Sequence, residues 1–193
     1  MPSADPGAPG VRPADVEDWF AELALEPLER ADREVVSSWD LLLDGHRRFD
    51  LRVTVILDPA LGLFCWAHYA PPISDLFRKS YRRLLRWNDE FPFAKFSVGD
   101  DERPLLAVEL PLDAAGVDAL GLALARIVGI ADTLLDETKD WLWLGGRAPD
   151  YSDRVGRNEA LIERFAALLP ELFARSPEPS DAAPPEAAVE TRA

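Results

Sequence analysis

The residue types that most often carry out chemistry are few in this chain and far apart. Its only histidines are His46 and His68, and its only cysteine is Cys65. A zinc site needs three or four convergent nitrogen, sulfur or oxygen ligands, and no short stretch of the sequence supplies them. Cys65 lies in an apolar run, where a lone thiol is usually a small buried hydrophobic group. The sequence therefore predicts no metal site and no cofactor.

Catalytic motifs are absent from the sequence as well. No serine or cysteine lies in a nucleophile-elbow sequence, and no glycine-rich loop could hold a phosphate. Two acidic pairs could serve acid–base chemistry, Asp100-Asp101 and Asp136-Glu137. The first pair lies in a turn, where acids are common, and the second falls opposite the apolar stripe of a helix. We therefore expect no catalytic residues and no enzyme activity.

The charge of the chain restricts its partners. The 193 residues include 35 acidic and 21 basic ones, so the formal net charge is −14. Such a field opposes nucleic acid, keeps a protein soluble and favours partners with basic segments. The longest apolar runs, such as residues 61–67, are much shorter than the roughly 20 residues that cross a bilayer. With no secretory signal at its start, the chain is expected to be cytoplasmic and not to bind membranes.

Composition divides the chain into one domain and two tails. Residues 1–12 and 176–193 are rich in Pro, Ala and Ser and nearly lack large apolar side chains. Such segments bury too little surface to offset the entropy of ordering, so both are expected to be disordered. Residues 13–175 are expected to form a single domain.

Hydrophobic periodicity predicts an α+β fold. Alternating apolar residues indicate a three-stranded meander followed by a hairpin, and spacings of three and four indicate helices. The predicted order is α-βββ-α-ββ-α plus an extra C-terminal helix, with helices packed on an antiparallel sheet of about five strands. The predicted elements are a helix from Pro13, strands 35–43, 51–57 and 63–69, a helix 74–89, strands 93–98 and 105–110, a helix 113–142 and a helix 157–169.

The second predicted helix has one apolar and one basic face. The apolar stripe comprises Phe77, Tyr81, Leu84, Leu85 and Asn88. The basic face could bind phosphate or an acidic partner, or it could simply be solvated and paired with the surplus acids of the chain. Its members are Arg78, Lys79, Arg82, Arg83 and Arg86.

The third predicted strand is apolar on both sides. Phe64 and Trp66 point to the sheet face opposite to that of Leu63 and Cys65. If helices cover only one face, these two aromatic residues are exposed and mark an interaction site. The fourth helix could instead cover them, and the pattern alone leaves both alternatives open.

A stripe of small residues runs along the third predicted helix. Gly121, Ala125 and Gly129 follow one another at intervals of four residues. Small side chains allow a second helix to approach closely, so the stripe could be the seat of the fourth helix or a dimer contact.

Four segments of the domain form a recognisable set: LLRWN with Asn88, FAKFSVGDD, LLAVELPL, and a long helix that contains Ala131-Asp132. In these the chain resembles the YbjN family, bacterial proteins that share the fold of type III secretion chaperones. The resemblance covers about residues 13–142, and residues 143–175 form a C-terminal helical extension that departs from it.

The resemblance implies a small acidic homodimer that holds a protein or peptide client against its sheet, as a chaperone, an adaptor or a regulator of sensory transduction. It offers no catalytic residues, and it implies structural roles for Asn88 and Asp132. The expected peptide-binding residues are Phe64, Trp66 and His68. A dimerising regulator without a peptide client is the alternative, followed by a small-molecule-binding protein.

Overall fold

A six-stranded antiparallel sheet forms the centre of the protein, in the order β1-β2-β3-β4-β6-β5. The computed structural model describes residues 10–72, 78–143, 146–147, 149–151 and 153–173. The elements are α1 (Pro13–Glu22), β1 (Glu29–Arg33), β2 (Val36–Leu43), β3 (Leu51–Asp58), β4 (Gly62–His68), α2 (Arg78–Glu90), β5 (Lys95–Val98), β6 (Pro104–Leu110), α3 (Val117–Thr133), α4 (Leu135–Leu142), α5 (Glu159–Ala166) and α6 (Pro170–Phe173). The predicted α+β class is confirmed.

The inner face of the sheet is apolar because alternate strand residues point the same way. Along β3, for example, Leu51, Val53, Val55 and Leu57 are at most 1% exposed. Their cross-strand neighbours on β2, β4 and β6 are buried with them, and helices pack over this face. The core therefore lies between the inner face and the helices.

The expectation of about five strands is wrong by one, because β1 was not predicted. This strand reads Glu-Arg-Ala-Asp-Arg, with no apolar alternation, and it pairs only with β2 at the edge of the sheet. Charged residues on an edge strand discourage pairing with other molecules. The same charges remove the periodic signal on which a strand prediction depends.

The helix predicted over residues 113–142 is interrupted. A 3₁₀ turn covers Leu112–Ala114, and α3 and α4 are separate helices that meet at Leu134. The Thr133 hydroxyl donates to the carbonyl oxygen of Gly129 at 2.8 Å. Such a bond from a side chain to the preceding turn competes with the helical hydrogen bonds and bends helices.

The apolar stripe assigned to the second helix is partly wrong. The buried residues of α2 are Ser80, Leu84 and Trp87, whereas Leu85 is 69% exposed. Relative to the predicted stripe, the helix is rotated so that the Trp87 ring packs between Phe96 and Trp141, which buries a larger side chain than Leu85.

On the basic face of α2, Arg83 forms an ion pair with Glu137 at 3.6 Å. Phe77 and the predicted start at residue 74 lie outside the described residues.

The C-terminal extension is attached to the turn between β2 and β3. Asp44 is fully buried, and the Arg157 guanidinium donates to its carboxylate at 2.8 Å. The Asn158 amide accepts from the main-chain N–H of Asp44 at 2.8 Å and donates to its carbonyl oxygen at 2.9 Å. Residues 1–9 and 174–193, which include most of the predicted N-terminal tail and all of the predicted C-terminal tail, lie outside the described residues.

Candidate functional site

The outer face of the sheet carries an aromatic patch, which we define as Ile56, Phe64 and Trp66. Ile56 and Phe64 lie opposite each other on β3 and β4. The rings of Phe64 and Trp66 contact edge to face, with centroids 6.3 Å apart. Trp66 is 39% exposed, while the intervening Cys65 on the inner face is completely buried. The sequence thus predicted the two faces of β4 correctly.

The fourth predicted helix does not cover the aromatic patch. It corresponds to α5, which packs on α3 through Phe165. Because α3 itself lies on the inner face, α5 is separated from the patch by the whole sheet. Among the described residues, no helix lies over Phe64 and Trp66, so the structure adopts the alternative in which the fourth helix leaves them uncovered, with Trp66 exposed and Phe64 half-buried.

His68 follows Trp66 on the same face and belongs to a polar network. Its Nε2 lies 3.4 Å from the Thr54 hydroxyl, which donates to the Asp40 carboxylate at 2.6 Å. Asp40 also pairs with Arg52. Burial by itself would raise the pKa of Asp40, but the hydrogen bonds from Arg52 and Thr54 hold it below its ordinary value. The three residues predicted to bind a peptide therefore share one face of one strand.

A concave surface, which we call the apolar groove, lies between α3 and the edge of the sheet. Its volume is about 630 Å³, and Phe93, Leu110 and Leu122 are among the residues that line it. Phe93 is 81% exposed, and the Arg126 guanidinium lies 5.3 Å from its ring centroid. The sequence prediction missed this groove because it began a strand at Phe93, whereas Phe93 has a φ of 63° and lies in the turn between α2 and β5, which begins at Lys95.

The apolar groove and the aromatic patch are neighbours. Ala107 lies opposite Trp66 in the sheet and also lines the groove. The last pair between β5 and β6 joins Lys95 and Ala107, so β5 leaves the end of β6 uncovered. Together, these features form a surface that could accommodate apolar side chains of a partner.

The small-residue stripe is occupied by a helix of the same chain. A Cβ atom on Gly121 would lie 2.4 Å from Cε2 of Phe165, and Ala125 and Gly129 are buried. In the described structure, Gly121 therefore seats the Phe165 ring of α5, and the other two residues of the stripe lie in the interior. Because Phe165 covers Gly121, a second subunit could not contact Gly121 without displacing α5.

Asn88 and Asp132 both have structural roles: Asn88 binds the main chain of the edge strand β5, and Asp132 binds the main chain of the loop between β2 and β3. The Asn88 amide accepts from the main-chain N–H of Phe96 at 2.5 Å and donates to its carbonyl oxygen at 3.1 Å. The Asp132 carboxylate accepts from the main-chain N–H groups of His46, Arg47 and Arg48 at 2.6, 3.0 and 2.6 Å. Neither arrangement resembles a catalytic pair, and Asn88 holds β5 to the end of α2 through its two bonds to Phe96.

The reactive side chains are dispersed or protected. Burial raises the pKa of the Cys65 thiol to about 12, so it remains protonated at neutral pH and is a poor nucleophile. Across the part of the chain that the structure describes, no group of three or more His, Cys, Asp or Glu side chains could hold a metal ion. Asp101 and Asp136 are exposed carboxylates in ion pairs with Arg103 and Arg47. We find nothing among these residues that would assemble an active site.

The chain belongs to the YbjN family, as its sequence predicts. A family model described as "Putative bacterial sensory transduction regulator" matches residues 12–142. No curated protein matches the chain. The description of the family thus names a regulatory role and no reaction.

The helices that the structure describes include none that is both long and apolar enough to span a bilayer.

Proposed function

We propose that this protein is a regulatory or chaperone-like binding module, without enzyme activity, that holds a segment of another polypeptide on the aromatic patch. The observation that carries this proposal is the difference between the two sheet faces. Helices cover the inner face, while Trp66 on the outer face is 39% exposed and Phe64 lies beside it. Large aromatic side chains left uncovered next to one another are typical of interaction sites.

Contact with the patch would stabilise a complex through burial of aromatic surface. Aromatic residues are enriched among interface positions where truncation costs about 2 kcal/mol or more. The adjoining apolar groove extends the contact, because Ala107 links the two surfaces. An extended segment lying over the patch could place one apolar side chain in the groove.

Charge indicates what kind of segment would bind. The chain carries a net charge of −14, so the attraction comes from the protein as a whole; Glu109, directly opposite Phe64 on the same face, is already paired with Lys95 at 3.4 Å. A partner segment with apolar residues flanked by Lys or Arg would be attracted, whereas a second copy of this acidic chain would be repelled over longer distances. We therefore propose that the patch binds a polypeptide segment in which apolar residues are flanked by Lys or Arg.

The test starts from peptides selected on the purified full-length protein from a random phage-displayed library. Affinity of a selected peptide is then measured by fluorescence anisotropy. The double variant Phe64→Ser/Trp66→Ser should bind at least tenfold more weakly, because it removes both aromatic anchors. The control variant Val155→Ser/Leu168→Ser changes two side chains that are 75% and 65% exposed in the C-terminal extension, and should bind normally.

Circular dichroism melting must show that the double variant is folded. Equal affinity of a folded double variant and the parent protein, or failure to select any peptide, would contradict the proposal. The homodimer implied by the family stays a prediction, which light scattering of both variants will test. A dimer that dissociates only in the Phe64→Ser/Trp66→Ser variant would assign the patch to self-association instead.

A further inference from the structure

A polar cavity with a volume of about 530 Å³ lies on the outer face beside His68. Three arginines contribute to its wall, and we call it the arginine pocket. It is also lined by the polar network around Thr54 described above. Its volume falls within the range of roughly 300–1,000 Å³ that is common for small-molecule sites. The residues that matter for its chemistry are Arg48, Arg52, Arg103, Thr54, His68 and Asp40.

Arg48 is the most unusual residue of the pocket. Its Nε is buried and has no hydrogen-bond partner in the part of the chain that the structure describes, and one terminal nitrogen donates to the carbonyl oxygen of Tyr69 at 3.3 Å. Among the described residues, no carboxylate lies within 4.0 Å of its guanidinium, although the chain has a large excess of acids. A partly buried cation without a carboxylate in ion-pair contact is costly, so the site is suited to an anion.

The position of Arg48 is fixed by the fold. Its main-chain N–H donates to the buried carboxylate of Asp132, and its guanidinium lies 5.4 Å from the ring centroid of Trp143. Burial lowers the pKa of Arg48, and the charges of Asp50 and Asp132 offset this effect only in part. The guanidinium is therefore held in place before any ligand arrives, and this reduces the entropy lost on binding.

The two carboxylates at the pocket already have cationic partners. Asp40 pairs with Arg52. Asp50 accepts from Arg154 at 2.7 Å and from Arg157 at 2.8 Å. Neither carboxylate forms an ion pair with Arg48. Arg103 of the wall is likewise paired with Asp101 at 3.0 Å, so Arg48 carries the positive charge of the pocket that has no ion pair among the described residues.

We propose that the arginine pocket binds a small anion that carries a carboxylate or phosphate group, with Arg48 as its principal cation. The planar guanidinium presents several donors in a geometry that matches both groups. Arg52 and Arg103 flank the site, and the Thr54 hydroxyl and the His68 ring lie at its polar wall. This proposal does not depend on the polypeptide-binding function, because it rests on the charge of Arg48 rather than on the apolar surface of Phe64 and Trp66; His68, which follows Trp66 on β4, borders both surfaces.

The probes are inorganic phosphate and succinate, titrated into the full-length protein by isothermal calorimetry at constant ionic strength. At least one of them should bind saturably. Arg48→Met should weaken that binding at least tenfold, because it removes the uncompensated cation and keeps an unbranched side chain. Arg33→Met is the matched control: it makes the same charge change at an exposed position of β1 and should leave the affinity unchanged.

A second measurement on the parent protein does not depend on whether Arg48→Met folds. In NMR spectra, the bound probe should shift the signals of Thr54 and the His68 ring, and leave those of Arg33 unchanged. Saturable binding with shifts at the pocket supports the proposal, and the probe that binds names the anionic group. Absence of saturable binding by both probes, shifts confined to other surfaces, or equal affinity of a folded Arg48→Met variant would overturn it.

Discussion

The ring of Phe165 occupies the space in which a side chain at position 121 would begin, since a Cβ on Gly121 would lie 2.4 Å from Cε2 of that ring. We expect Gly121→Ala to displace α5 and to lower the free energy of unfolding by about 1–3 kcal/mol, the usual cost of overpacking. Gly116→Ala is the control, because no atom lies within 4 Å of a Cβ at that position. Denaturant unfolding of both variants measures the difference, and equal stabilities would place α5 elsewhere.

Asn88 should control the order of the edge strand β5. Replacing it with leucine removes both hydrogen bonds to the main chain of Phe96, and we expect a loss of about 1–3 kcal/mol of stability. Asn88→Asp keeps the acceptor for the Phe96 N–H and should cost less. Hydrogen exchange provides the specific readout, because the Phe96 amide should lose protection in the leucine variant. Unchanged exchange at Phe96 would show that β5 is held by its other contacts.

The Asp132 carboxylate should stabilise the loop between β2 and β3. Asp132→Ala leaves three main-chain N–H groups without their acceptor, and we expect a loss of about 2–4 kcal/mol. Asp136→Ala, which removes an exposed carboxylate one helical turn later, should change stability by only about 0.5 kcal/mol. Thermal melting of the two variants makes the comparison, and similar losses in both would contradict this role.

Asp50 should contribute to acid sensitivity. Hydrogen bonds from Arg154, followed in effect by those from Arg157, lower its pKa from 3.8 to about 2. Its stabilising contribution is therefore complete above pH 3.8 and is lost as the pH falls from 3.8 to about 2. Because the side chain is 43% exposed, solvent screening limits this contribution to about 1 kcal/mol.

An NMR titration of the Asp50 carboxyl carbon measures this pKa directly. In Arg154→Gln, it should move back towards 3.8 because the main hydrogen-bond donor is lost. The Arg33→Met variant changes a distant charge and should leave the Asp50 pKa unaltered. A titration midpoint near 3.8 in the parent protein would contradict the ion-pair arrangement.

The sequence predicted best where one periodic signal dominates. Strand β3, predicted over residues 51–57, is observed at Leu51–Asp58, because its alternation is uninterrupted. The orientation of α2 was less predictable, since Leu85 and Trp87 are both apolar and only the packing against Phe96 decides between them. These two cases differ in whether local pattern or tertiary contact determines the outcome.

The two candidate surfaces also differ in how far the sequence could predict them. Phe64 and Trp66 could be assigned to the outer face because side chains alternate along a strand. Arg48 lies in a loop without periodicity, and its position depends on Asp132, 84 residues further along the chain. A contact over such a distance leaves no local signal in a single sequence. The arginine pocket therefore became apparent only in three dimensions.

The bonds between Asn158, Arg157 and the buried Asp44 bear on how the family domain can be handled in the laboratory. The family match ends at residue 142, before both of these partners. A fragment cut there would expose the Asp44 turn to water and uncover the face of α3 on which Phe165 rests. Expression trials and partner screens should therefore retain the chain at least to residue 173, because the folded unit of this protein extends beyond the residue at which the family match ends.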